Sequence, residues 1–308
     1  MMIRYLSLGG IILDDVVFPD GRTAMNRLGG GGLYAAVGMR LWSNRVGLFA
    51  RVGPDFDFSL LADLSLDGGA VRVNTRPTPR AWQLYEEDGT RIQIPRVSDA
   101  DWQAQLKPTL DRLPRLKTLR GIHMAGRGHR VEREVVAAVA DSGTTLSLEP
   151  ILEKGDSRQR RNAILDLLPY VDIFSPSLSD AYLLLGERPI VELLTALADR
   201  GPRFVNLRRG AVGSVVYDRV TDCAWQVPAA RANVVDVTGA GNAYCGGFLA
   251  GWGENGSVEQ AAACAAVSAA LIIEQIGPPA ITPPRLTAAR QRQIDCLAKI
   301  CKGMEQVV

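Results

Sequence analysis

Asp236-Val237-Thr238-Gly239-Ala240-Gly241-Asn242 lies between an extended lead-in, Asn233-Val234-Val235, and a helix-like run from Ala243 to Ala250 whose glycines suit close packing. A Gly-Ala-Gly turn that opens a helix aims several backbone N–H groups at one point, and the helix dipole adds partial positive charge there. Such a turn suits an anion, most often a phosphate. Phosphoryl transfer at this turn would want a carboxylate beside it, and Asn242 offers a neutral amide instead. An amide is no base near neutral pH. Losing general-base help typically costs ~10²–10⁴ in rate, while orientation and charge stabilisation survive.

Other residues could serve the same chemistry. Asp14 follows the first strand after Leu8-Gly9-Gly10, with Asp15 its adjacent competitor; either also fits a plain turn. Gly29-Gly30-Gly31-Gly32 make a loop where backbone can approach a ligand closely, and Tyr34 follows it. Tyr34 also fits a core-facing helix with Val37 and Leu41. Ser175-Pro176-Ser177-Leu178-Ser179-Asp180 follows a strand and opens a helix, a pattern that also makes a plain helix cap. Arg209-Gly210-Ala211-Val212-Gly213 connects two strand-like runs, with Arg208 just ahead of it.

The 236–242 stretch resembles the signature of the ribokinase-like (PfkB) carbohydrate kinases, usually Asp-Thr-x-Gly-Ala-Gly-Asp. Gly29 to Ala36 resembles that family's Gly-Gly-x-x-x-Asn-x-Ala element, and Gly47 to Asp55 its G-x-V-G-x-D strand and turn. The order and spacing match over nearly the whole chain. Asn242, Tyr34 and Ile273-Glu274-Gln275-Ile276-Gly277 together look like an atypical branch. The resemblance implies a three-layer α/β/α sandwich with a mostly parallel central sheet, formed by residues 1–308 as one domain. A small β lid would be inserted at about 14–27 and 80–96.

The resemblance also implies an ATP- and Mg²⁺-dependent phosphotransferase acting on a hydroxyl of a sugar, nucleoside or related small polyol. Gly239, Ala240 and Gly241 would stabilise charge on the transferring group. Asn242 would stand at the base position, with Asp236 the nearest carboxylate in sequence. Asp14, Gly30, Gly31 and Tyr34 would meet the acceptor, and Arg209, Gly210 and Gly213 the nucleotide. Ser177 and Asp180 stand in for the family's Asn-x-x-Glu, which organises magnesium, so Asp180 is the expected metal-side carboxylate. The alternative is a catalytically weak or silent protein that binds nucleotide or sugar phosphate. Lid strands often pair between subunits in this family, so the resemblance admits a homodimer through the lid while leaving the oligomeric state open.

The bulk properties agree. A chain of 308 residues can form one sizeable α/β domain, and 35 basic against 33 acidic residues imply no nucleic-acid partner. The 5 cysteines, odd in number and without C-x-x-C spacing, argue for a reducing cytoplasm over a disulfide framework. With only 2 histidines, His123 and His129, a His-based metal site or Ser-His-Asp triad is disfavoured. Tyr5 to Leu13, broken by Gly9-Gly10, reads as a buried strand and not a signal peptide; Ala261 to Ile273 is too short to span a bilayer. No Gly-x-Gly-x-x-Gly follows the first strand, which weighs against a dinucleotide fold.

Strands are expected at 4–8, 45–50, 121–124, 145–148, 171–174 and 204–207, with helices at 33–41, 56–66, 132–140, 163–168, 178–185 and 191–199. A hairpin is expected over 212–227, then helices at 243–251, 258–274 and 284–302. Two segments break this rhythm: 16–26 turns at Pro19-Asp20-Gly21, and 81–94 turns at Glu87-Asp88-Gly89.

Overall fold

The computed structural model describes residues 2–88, 91–106, 113 and 116–303. Its strands are β1 (Tyr5–Leu8), β2 (Ile12–Val17), β3 (Thr23–Gly29), β4 (Val46–Val52), β5 (Val71–Val73), β6 (Arg80–Tyr85), β7 (Arg91–Pro95), β8 (Gly121–Gly126), β9 (Thr145–Pro150), β10 (Ile173–Phe174), β11 (Phe204–Arg208), β12 (Ser214–Asp218), β13 (Cys223–Val227) and β14 (Cys301–Lys302). Its helices are α1 (Gly31–Arg40), α2 (Asp99–Leu106), α3 (Arg130–Ala140), α4 (Arg158–Leu165), α5 (Leu178–Leu185), α6 (Ile190–Ala198), α7 (Ala240–Asn255), α8 (Val258–Ile272) and α9 (Pro283–Leu297).

Side chains alternate across a strand, so each central strand feeds two cores. Tyr5 of β1 packs with Val37, Phe248 and Val267 from α1, α7 and α8. Its neighbour Leu6 packs on the other face with Val135, Ile164 and Leu193 from α3, α4 and α6. A sheet apolar on both faces must be covered on both, which gives the expected three layers. The sheet runs β14-β13-β12-β11-β10-β9-β8-β1-β4-β5. It is parallel from β5 through β11 and antiparallel from β11 to β14.

Glycines set the packing of α7. A Cβ on Gly246 would stand 2.0 Å from Ala35 O, and one on Gly38 would stand 2.3 Å from Ala243 O. Only glycine lets α1 and α7 approach this closely.

A second sheet, ordered β3-β2-β6-β7, contains the two segments that broke the alternation. Between Asp14 and Val16 the pairing with β3 shifts register: Asp15 faces two β3 residues, Met25 and Asn26, the latter at φ 55, so the bulge lies in β3. Bulges re-aim side chains. Gly89, in the expected β6–β7 turn, lies outside the described residues.

Several boundaries differ from expectation. The expected helix at 56–66 is a 3₁₀ helix, Phe58–Leu64, capped by Asp57 and ended by left-handed Ser65. The expected helix at 163–168 begins at Arg158, where the Ser157 hydroxyl caps it, and ends at Leu165. The last helix stops at Leu297, and Cys301–Lys302 instead pairs with β13. Strand β5 and helix α2 had no expectation. Among the described residues no helix is long and apolar enough to cross a membrane.

Candidate active site

Three strands of the large sheet deliver the site. Ligands in open parallel sheets sit beyond the carboxyl ends of the strands. At those ends stand Gly9 after β1, Glu149 in β9 and Arg208 closing β11.

The Gly239–Gly241 turn begins α7. Gly239 is left-handed, φ 82 and ψ −4, and a Cβ on it would meet the Tyr34 ring at 2.3 Å. Backbone conformation and contact both require glycine here. Ala243 N–H donates to Gly239 O at 2.9 Å. The amides of Gly241 and Asn242 precede it and have no carbonyl within the helix to bond. Tyr34 therefore forms the floor of the turn, 2% exposed. Burial raises its phenol pKa, and the Asp236 and Asp14 carboxylates raise it further.

Behind the turn lies a charged cluster. Arg208 Nη1 donates to Glu149 Oε1 at 2.6 Å, and Nη2 stands 4.0 Å from Asp180 Oδ2. Burial alone would lower the Arg208 pKa, but the Glu149 and Asp180 carboxylates hold it above the ordinary value. Glu149 Oε2 accepts from Asn242 Nδ2 at 2.6 Å. A Cβ on Gly241 would stand 2.0 Å from Arg208 Nη1 and 3.1 Å from Glu149 Oε1, so the missing side chain is what admits the cluster to the turn.

Asn242 faces the second half of the site. A Cβ on Gly31 would stand 3.0 Å from Asn242 Nδ2, and one on Gly29 would stand 2.1 Å from Asp14 Oδ2. Gly30, φ 106, precedes the first turn of α1. Asp14 is buried and accepts from Gln83 Nε2 at 2.8 Å. Burial pushes its carboxyl up to about 6, against the opposing effects of Gln83 and Arg91. Asp15 faces elsewhere: it pairs with Arg96 and accepts from Asn26 N–H at 2.7 Å, fastening the second sheet. Of the two adjacent aspartates, Asp14 is thus the one at the glycine loop.

The second sheet closes on the signature turn. Tyr85 O–H donates to Asp236, whose Oδ1 also takes Thr238 N–H at 2.8 Å. Arg91 Nη1 donates to Thr238 Oγ1 at 3.3 Å. Asp236 is 3% exposed and engaged in this latch, away from the charged cluster.

On the opposite side of the turn opens a cavity of about 480 Å³. Ser177, Arg208, Gly210, Gly213 and Gly241 line its polar end; Val234, Ala266, Ala269 and Ile273 line its apolar wall. A Cβ on Gly213 would stand 2.1 Å from Val227 O. Gly210 and Gly213 are among the residues lining this cavity. Arg209 is not a lining residue; Arg208, the last residue of β11, is. Asp180 caps α5: its Oδ2 accepts from Ser177 N–H at 2.8 Å and from Ser177 O–H at 2.6 Å. Burial raises its pKa.

His123, Glu149 and Cys245 bring possible ligand atoms within 4.8 Å of one another. Burial lowers His123 to about 3 and raises Cys245. Both oxygens of Glu149 already serve Arg208 and Asn242, so this trio fits a packed neutral interior better than a cation.

Glu149, Gln83, Tyr85 and Arg91 were missed from sequence. Only Glu149 carried a signal: a carboxylate at the carboxyl end of a buried strand.

Residues 10–284 match the family model described as pfkB family carbohydrate kinase. A cytidine kinase of Thermococcus kodakarensis is 25% identical over 264 residues, which cover 84% of this chain and 92% of that protein. A nucleoside kinase of Methanothermobacter thermautotrophicus is 24% identical, covering 87% and 86%. Among solved structures, a Methanocaldococcus jannaschii nucleoside kinase superposes with TM-score 0.71 at 19% identity, covering 96% and 99%. An Arabidopsis thaliana ribokinase complexed with ribose and ATP gives TM-score 0.71 at 20% identity, covering 95% and 99%. These structural likenesses establish a ribokinase fold.

Proposed function

The chain belongs to the pfkB family of carbohydrate kinases, and from that premise we propose that it is an ATP- and Mg²⁺-dependent phosphotransferase acting on a hydroxyl of a nucleoside, sugar or related small polyol. One observation carries this reading. The α7 amino terminus has the 480 Å³ cavity on one side and, through Asn242, the Gly31 loop on the other.

The cavity fits a nucleotide in its chemistry. Its apolar wall suits a flat base, and its Gly241 and Arg208 end suits phosphates. The buried Arg208 Nε lacks a partner among the described residues. Magnesium would neutralise triphosphate charge when bound. Asp180, at the start of α5, would orient it.

Asp14 and Gln83 hold the acceptor's hydroxyls. The acceptor oxygen forms a bond to the terminal phosphorus while the bond to the ADP oxygen breaks. Asn242 can orient the hydroxyl but cannot keep its proton, which passes to an oxygen of the transferring phosphoryl group. The loose transition state of phosphoryl transfer asks little of a base, so the reaction is slow, not absent.

In this reading residues 1–308 act as one domain and the second sheet is the acceptor lid. Strand β7 exposes Ile92 and Ile94, each 44%, which suits pairing of two lids in a homodimer. The free cysteines suit a reducing, cytoplasmic setting.

The test is a mass-spectrometric screen of the purified chain with Mg-ATP and a pool of nucleosides, sugars and polyols. The expected result is an acceptor heavier by one phosphoryl group with matching ADP. ATP binding without any product would leave a nucleotide-binding protein.

A further inference from the structure

Asn242 and Glu149 form a unit whose charge has a consequence for the site. An amide has one donating and one accepting end, and an ionised carboxylate only accepts. Glu149 Oε2 takes Nδ2 of Asn242 at 2.6 Å. The reverse rotamer would set Oδ1 against the carboxylate, oxygen to oxygen. Glu149 therefore fixes which way the amide is turned, leaving the second Nδ2 hydrogen and Oδ1 beside the Gly31 loop, where a Gly31 Cβ would stand 3.0 and 3.5 Å from them. Glu149 is itself held by Arg208 at 2.6 Å and is 8% exposed, so its charge is fixed in place.

We propose that Glu149 is a positioning residue for the acceptor hydroxyl and that Asn242 is its matched partner, so that a carboxylate is excluded from position 242 by Glu149. The hydroxyl-positioning half rests on the phosphotransferase reading; the charge coupling does not.

The surrounding charges support the exclusion. Glu149 is faced by Arg208 from β11, Asp180 from α5, His123 from β8 and Cys245 from α7. Burial keeps His123 and Cys245 neutral. Arg208 is thus the cation of this group, already shared by Glu149 and Asp180. Asp14 and Asp236 add negative charge from the acceptor side, as their influence on Tyr34 shows. A carboxylate at 242 would be a third acid on one guanidinium, in direct contact with Glu149. Such a pair holds one proton between its members and titrates as a unit.

The test uses the wild type, Asn242→Asp, Glu149→Gln and the double variant, each measured for thermal midpoint from pH 5 to 9 and for phosphoryl transfer. A carboxyl whose folded pKa is raised loses stability as pH climbs from the ordinary carboxylate value to the raised one. Asn242→Asp should therefore fall about 2–4 °C relative to wild type between pH 5 and 9. The double variant should not, because the amide introduced by Glu149→Gln can donate to the new carboxylate. Transfer should rise at least ~10²-fold in the double variant over Asn242→Asp, the low end of general-base help. Glu149→Gln alone should lower kcat while ATP affinity holds.

Parallel midpoint profiles for Asn242→Asp and wild type would overturn the coupling, and transfer in the wild type would then leave the phosphotransferase reading standing. The pH-dependent loss without transfer in any variant supports the coupling and removes that reading, the positioning role with it. If Asn242→Asp does not fold at pH 8, recovery of folding in the double variant supports the coupling, and failure to recover overturns it.

Discussion

Asp14, at the proposed acceptor site, carries a charge that the fold resists. Burial pushes its carboxyl up to about 6, from the ordinary 3.8. The folded state thus prefers the protonated form. Its contribution is favourable at low pH, declines as pH rises from about 4, and is fully lost above about 6. Asp14→Asn should raise the thermal midpoint at pH 8 by about 2–4 °C or more. It should also weaken acceptor binding by ~10-fold or more, the value of a hydrogen bond to a charged group. Scanning calorimetry and titration calorimetry read the two effects; an unchanged midpoint would mean that burial costs this carboxylate nothing. Gly239→Ala meets both a left-handed backbone and the Tyr34 ring. It should lose ~1–2 kcal/mol from backbone strain alone in urea unfolding. Residues such as Gly239 were legible because the glycine's task is local. Asp14 and Asp15 could be separated only once the β3 bulge opposite Asp15 and Arg96 were visible. Glu149 was hidden because its partners lie 59 and 93 positions away in sequence.

At the scale of elements, Arg208 ties the end of β11 to β9 and to the start of α5. Arg208→Met would leave Glu149 and Asp180 buried and unneutralised. Breaking such a pair costs about 3–5 kcal/mol, so the variant should unfold at distinctly lower urea and lose ATP affinity. Tyr85 ties β6 to the signature turn through Asp236 and Thr238. Tyr85→Phe should raise the acceptor KM about 3–10-fold, the value of an ordinary hydrogen bond, with ATP affinity unchanged. An equal change in both would show that the latch holds the turn itself. Alternating apolar strands and helix-period runs made most elements readable. The exceptions were short or set by distant partners. The 3₁₀ helix Phe58–Leu64 is bounded by Asp57 and Ser65, and β14 exists only through its pairing with β13.

The whole molecule places two half-sites on either side of one helix terminus. The turn that opens α7 is backed by Arg208 and Glu149 from the large sheet; the second sheet supplies Asp14, Gln83 and Tyr85. The three-layer architecture was legible because both-face burial leaves uninterrupted apolar strands, and the second sheet because its hairpins broke that rhythm. Which face of the second sheet closes on the turn was not legible, since alternation alone gives no direction. The account stands on the two half-sites meeting at Asn242. The measurement that tests it most directly is transfer from Mg-ATP to an acceptor by the wild type and by Asp14→Ala, with ATP affinity measured in the same preparations. The account predicts phosphorylated acceptor from the wild type, loss of at least ~10-fold in Asp14→Ala and ATP affinity unchanged between them. Transfer at the wild-type rate in Asp14→Ala, or an equal loss of ATP affinity, would contradict it.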